Sequence, residues 1–146
     1  MKTILTPVDF SSATRGVLAV AEDLARSMGG QIVLMHAVQQ PVITTDYGLT
    51  VDVLQETMAA NQGAARHQVE HLEKALAAKG VPVKTRLVDG YAAGNIVEQA
   101  GELQASYIVL GSHGHTAFYD LLVGSTTHAV LKKAPCPVVV VPPGRE

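Results

Sequence analysis

The chain has 146 residues, 47% of them hydrophobic, 16% charged and 4% aromatic, with a formal charge of −2. A length of this order supplies one domain with one respectable core, and the small negative charge argues against nucleic acid, whose phosphates call for clustered Lys and Arg. With no apolar run near the ~20 residues that cross a bilayer, no signal-like N-terminus and a single cysteine, Cys136, the expected setting is the cytoplasm rather than a membrane or a disulfide-rich secreted context.

The apolar run KTILTPV, residues 2–8, ends at Asp9 and the pair Ser11-Ser12, which predicts a buried strand feeding a helix N-cap. A helix over about 12–28 places Val17, Leu18, Ala21, Leu24, Ala25 and Met28 on its core side and stops at Gly29-Gly30. QIVLMHAV, 31–38, is a second strand, and the Pro, Gly, Asp and Thr content of 39–50 predicts a loop. Helical spacing returns over about 51–79, with Leu54, Met58, Ala65, Val69, Leu72 and Leu76 in one stripe, Gly63 a candidate break and Gly80 the stop. VPVKTRLVDG, 81–90, is a third strand. NIVEQAGEL then sets Ile96, Ala100 and Leu103 on one helical face, ASYIVLG, 105–111, is a fourth strand, a helix covers about 125–133, and CPVVVVP, 136–142, is a fifth strand.

Alternating helices and nearly unbroken apolar strands imply a single α/β domain over 1–146: a doubly wound parallel sheet with helices on both faces and right-handed crossovers. Ligands of such sheets sit beyond the carboxyl ends of the strands. Asp9, Val38, Gly90 and Gly111 lie at those ends.

The segment GSHGHTAFYDLLVGST, 111–126, begins at one of them. Gly111 and Gly114 carry no Cβ and tolerate positive φ, so the turn can fold tightly with its amides exposed as an anion nest. Gly124 precedes Ser125 and Thr126, which open a helix whose free amides and positive dipole end attract phosphate. Two amide nests brought together by the fold can hold a polyphosphate. A Walker A loop and a dinucleotide fingerprint are both absent. The bland reading is that these glycines only end a strand and begin a helix.

The pattern Gly111-x2-Gly114-x9-Gly124-Ser125, the opening ILTPVDFS and the closing APCPVVVV together resemble the universal stress protein family, in its ATP-binding branch, over essentially the whole chain. The resemblance implies a Rossmann-like, five-stranded sheet of order 3-2-1-4-5, an adenine nucleotide at the carboxyl ends of strands one and four, and a homodimer. Carried over, it sets Pro7, Val8 and Asp9 at the adenine and ribose end, Val38 as a backbone contact to the base, and Gly111, Ser112, His113, Gly114, Gly124, Ser125 and Thr126 around ribose and phosphates. Asp9 then faces ribose hydroxyls or helps to hold a divalent ion, against its plainer reading as a helix cap. Lys132 and Lys133 suit the C-terminal dipole of the last helix, so amides and Mg²⁺ are expected to balance the charge of ATP.

Three further signals have readings of their own. HQVEH, 67–71, has the spacing of an inverted zinc-peptidase motif, but both His67 and His71 fall opposite the Leu72 and Leu76 stripe and should face water. His113, His115 and Cys136 read as polar loop and small hydrophobe rather than a metal trio. Four valines near the C-terminus make an edge strand suited to pairing with a second copy. The expectation is therefore a cytoplasmic, dimeric, ATP-binding stress-response or signalling module with an unidentified protein partner. Its rivals are a slow ATPase or autophosphorylating enzyme using Ser125 or Thr126, a nucleotide-free dimeric module and, most distantly, a flavin protein.

Overall fold

The computed structural model describes residues 1–39, 51–114 and 122–144. In chain order the elements are β1 (Thr3–Pro7), α1 (Thr14–Met28), β2 (Gln31–Val38), α2 (Val51–Ala78), β3 (Val83–Asp89), α3 (Ala92–Glu102), β4 (Tyr107–Gly111), α4 (Ser125–Lys133) and β5 (Val138–Val141). All pairings are parallel and the order is β3-β2-β1-β4-β5, as the family resemblance implies. The chain leaves β1 toward β2 on one side and later returns to β4 on the other. The carboxyl ends of β1 and β4 therefore flank the crevice where such sheets bind ligands.

Both faces of the sheet are covered, which is why its central strands are apolar at nearly every position. On one face, Val17, Ala21 and Ala25 of α1 and Leu76 of α2 pack on Ile4, Ile32, Leu34 and Val109. On the other, Ala93, Ile96 and Ala100 of α3 and Val130 of α4 pack on Leu5, Val33, Met35 and Ile108. Alternation along β1 and β2 thus sends successive side chains into different cores. Truncating a fully buried residue such as Ile4 or Ile108 to Ala costs about 2–5 kcal/mol. Gly29 ends α1 in the left-handed conformation at φ 62°, with its N–H on the Ala25 carbonyl. The long helix α2 is continuous through Gly63, so no break occurs there. Its buried residues Ala65, Val69 and Leu76 belong to the predicted stripe, and Leu103 lies against the α3 core just past that helix.

The start of α1 differs from expectation. Its N-cap is Ala13, with no side-chain cap. Asp9 Oδ1 accepts the Ser11 N–H at 3.0 Å, and Ser11 Oγ accepts the Ala13 N–H at 3.3 Å. Two short side-chain turns thus lead the chain from β1 into the helix in place of a direct cap by Ser11, Ser12 or Asp9.

The two edges of the sheet are unlike. β3 alternates, with Lys84 and Arg86 exposed, whereas β5 is four half-buried valines. Among the described residues no helix is long and apolar enough to cross a membrane.

Candidate functional site

The two halves of the glycine segment meet at the carboxyl end of β4. The Gly124 N–H donates to the Ser112 carbonyl at 2.6 Å, and Thr127 Oγ1 donates to the Gly111 carbonyl at 2.7 Å. Ser112 in turn donates its N–H to Val141 of β5 at 2.8 Å. These bonds seat the first turn of α4 directly on the end of β4. Ser112 is buried and serves as the joint, with its Oγ 3.0 Å from Nδ1 of His113.

Glycine is required here for room, not for backbone sign. Among the described residues the positive-φ glycines are Gly29, Gly80 and Gly90, so Gly111 and Gly114 do not use the left-handed freedom the sequence suggested. A Cβ on Gly114 would run into the Asp9 carboxylate, and one on Gly111 would lie 3.2 Å from the Ala13 side chain. One on Gly124 would sit 3.4 Å from the Ser112 carbonyl. The close approach of the turn between β1 and α1 is what crowds out side chains at Gly111 and Gly114, whereas the distance at Gly124 is ordinary contact.

The amides divide into used and available. Those of Ser112 and Gly124 are engaged within the fold. No side chain caps α4, and among the described residues the N–H groups of Ser125, Thr126 and Thr127 have no acceptor. An uncapped helix start of this kind attracts anions through its donors and its dipole.

A cleft of about 750 Å³ opens over this point, within the usual size of small-molecule sites. Pro7, Val8, Asp9, Gly111, His113, Gly114, Gly124, Ser125 and Thr126 line it, so nine predicted residues converge. Val38 and Ser112 do not line it. Val38 is buried and its carbonyl accepts the Gly90 N–H at 3.1 Å. Its neighbours His36, Ala37 and Gln39 form that wall instead, joined by Gln68 from α2. A histidine near the end of an otherwise apolar strand was the sequence signal for this wall, whereas nothing local marks Gln68.

The turn between β1 and α1 forms the cleft's rim. Phe10 takes a left-handed φ of 60°, a strained conformation for an aromatic residue. Its ring lies 4.4 Å from that of His36, and Nδ1 of His36 is 2.7 Å from the Val8 carbonyl. The carbonyl can only accept, so Nδ1 carries the proton. The hydroxyl of Thr14, on the same wall, is buried without a hydrogen-bond partner among the described residues. Such an orphan donor is what a ligand or water satisfies.

No Lys or Arg lies between Arg86 and Lys132 in the chain, and none is among the described residues lining the cleft. Lys132 and Lys133 occupy the last turn of α4, away from its anion-attracting start. His67 and His71 are exposed on α2, as predicted. Among the described residues no three His, Cys, Asp or Glu side chains group as a metal site, and His115 lies outside those residues, as do 40–50 of the predicted loop. Cys136 is half-buried against the α3–α4 core, and burial pushes its thiol pKa up, which suits a small hydrophobe rather than a nucleophile. The donors, the glycine cradle and the volume fit a phosphorylated nucleoside. Asp9 is the one carboxylate on the described lining, too few for a protein-built cage, so a magnesium ion here would be one carried in by the phosphates.

Comparison with known proteins gives this geometry a context. The model of the universal stress protein family matches residues 1–142. A universal stress protein of Thermus aquaticus, from the QAH/OAS sulfhydrylase 3′ region, is 32% identical over 145 residues, covering 96% of this chain and 98% of the relative. The solved structure of MJ0577, a universal stress protein of Methanocaldococcus jannaschii, superposes with a TM-score of 0.85 at 28% identity, over 99% of this chain and 98% of that one. The universal stress protein from Archaeoglobus fulgidus solved in complex with dAMP shares the fold, with a TM-score of 0.68 at 21% identity over 97% and 98% of the two chains.

Proposed function

The chain belongs to the universal stress protein family, and from that premise we propose that it binds ATP with Mg²⁺ in the cleft between β1 and β4. The observation that carries the reading is the hydrogen bond from Gly124 to Ser112. It joins the halves of the spaced-glycine motif and leaves the amides of Ser125, Thr126 and Thr127 for phosphate oxygens. The walls contributed by Pro7, Val8 and Ala37 suit an adenine ring, and Asp9 suits ribose hydroxyls. The dAMP held by a relative of the same fold favours an adenine nucleotide.

In this reading the protein is a cytoplasmic homodimer whose nucleotide occupancy changes the surface offered to a protein partner. Strand β5 supports the dimer: its four valines lack the charges that guard the opposite edge at Lys84 and Arg86, and an unguarded edge seeks a partner strand. Among the described residues the lining donors are amides, hydroxyls and the imidazoles of His36 and His113, with no Lys or Arg, and they hold phosphate without the fixed positive charge on which phosphoryl transfer relies, which favours a binding role.

A thermal-shift titration tests the reading. At 100 times its dissociation constant Mg-ATP adds about 2.7 kcal/mol to stability, seen as a raised unfolding midpoint. Gly124→Val should fold, because Gly124 has an ordinary φ of −70°, and should lose the shift by closing the approach to the α4 amides. A variant that responds to Mg-ATP as the parent does rejects the site.

A further inference from the structure

We infer that His36 is a positioning residue of this site, bracing the strained Phe10 turn so that the Asp9 carboxylate is held against the glycine loop at the ribose position. The inference rests on the reading of the cleft as an adenine-nucleotide site. Four observations meet at one point. The β1–β2 ladder ends at the pair Pro7 and Met35, one residue before Val8. Val8 is still held twice by β2, through its N–H on the Met35 carbonyl at 2.8 Å, which is the last rung of the ladder, and beyond it through its carbonyl on Nδ1 of His36 at 2.7 Å. A side chain thus takes over where the backbone ladder stops, which frees the chain to turn sharply.

The turn itself carries strain. Phe10 holds φ 60°, and a bulky residue stays in that region only where its surroundings over-determine it. The surroundings here are the His36 ring, 4.4 Å away and tilted at 42°, and the α1 core against which Phe10 also packs. Between the two gripped positions stands Asp9. Its Oδ1 accepts the Ser11 N–H at 3.0 Å, and its carboxylate lies so close to Gly114 that a Cβ there would collide with it. His36 therefore fixes Val8 on one side of Asp9 and Phe10 on the other. Nothing in its position requires contact with nucleotide: it acts through the turn.

The test compares ATP with 2′,3′-dideoxy-ATP, both with Mg²⁺, by calorimetric titration of the parent, His36→Phe and His36→Asn. Phenylalanine keeps a ring for Phe10 but loses the donor, whereas the Asn side-chain amide can present an N–H near the place of Nδ1. The parent should prefer ATP at least tenfold. His36→Phe should bind ATP at least tenfold more weakly with that preference collapsed toward one, and His36→Asn should restore most of the preference. A variant that merely loosens the core would lower the unfolding midpoint without erasing the preference. Parental affinity and preference in His36→Phe overturn the inference, as does a parent that binds both nucleotides equally. A parent that binds neither rejects the reading of the cleft and takes the brace down with it. Should His36→Phe not fold, Phe10→Leu removes the stacked ring from the other side. It should lower the preference at least threefold, and the parental preference in Phe10→Leu likewise overturns the inference.

Discussion

At the amino end of the sheet, Gln31 donates to Lys2, Ile32 to Pro82, Ser106 to Thr3 and Ile108 to Pro137, at 2.8 to 3.0 Å. Each strand start is sewn to a neighbour, and the one tight glycine, Gly30, is tight against the Lys2 main chain. At the carboxyl end the same kinds of groups are left with capacity to spare: uncapped α4 amides, the orphan Thr14 hydroxyl and a left-handed Phe10. Glycine serves structure at one end and access at the other. Buried polar groups are normally satisfied, and strain tends to gather at functional positions, so the contrast sets the carboxyl end apart as the candidate working end.

Three substitutions break or sharpen that contrast. The largest effect is expected from Gly30→Ala, whose Cβ would lie 2.7 Å from the Lys2 carbonyl oxygen. Moving backbone there should cost about 2 kcal/mol or more in denaturant unfolding while the Mg-ATP shift persists. Gly114→Ala is the mirror case. Its Cβ pushes the Asp9 carboxylate, so nucleotide affinity should fall at least tenfold, about 1.4 kcal/mol, with the unfolding midpoint nearly unchanged. If the two variants exchange phenotypes, the division of labour between the sheet's ends is wrong.

The smallest effect belongs to Glu22, which ties α1 to α2 remote from the cleft. Desolvation pushes its pKa up, but hydrogen bonds from Lys79 and Arg26 outweigh this and hold the carboxyl below its usual range. A folded-state pKa lower than the unfolded one stabilises at neutral pH, and that contribution fades as pH falls through the folded value. Glu22→Gln should therefore flatten the loss of stability on the acid side of about pH 4.5 and leave nucleotide binding alone. An unchanged acid slope would show that the exposed pair contributes nothing measurable, a common outcome for surface ion pairs.

Much of this arrangement was legible in the sequence because it rests on local chemistry. The start of α4 at Ser125 follows from the glycine and hydroxyl residues there, and the core stripes of α1 and α2 follow from spacing. What escaped depends on which way a strand end faces or on distant contacts. Sequence does not show which stretch of a strand end faces the cleft, so the expected backbone contact was placed at Val38, whereas His36, Ala37 and Gln39 line the cleft there. Gln68 reaches the cleft from a helix many residues away. The left-handed turn at Phe10 contradicts the preference of its own residue type, and only its tertiary surroundings impose it. Sequence could not show that folding itself engages the amides of Ser112 and Gly124, one from each predicted nest.

Ser112 touches the helix start through its carbonyl and strand β5 through its amide, at Gly124 and Val141 respectively. A single buried residue is thus the knuckle between the anion-facing turn and the outermost strand. Any tug on the head of α4 is passed across one residue to the rim of the sheet, so the two cannot shift independently without parting one of those bonds.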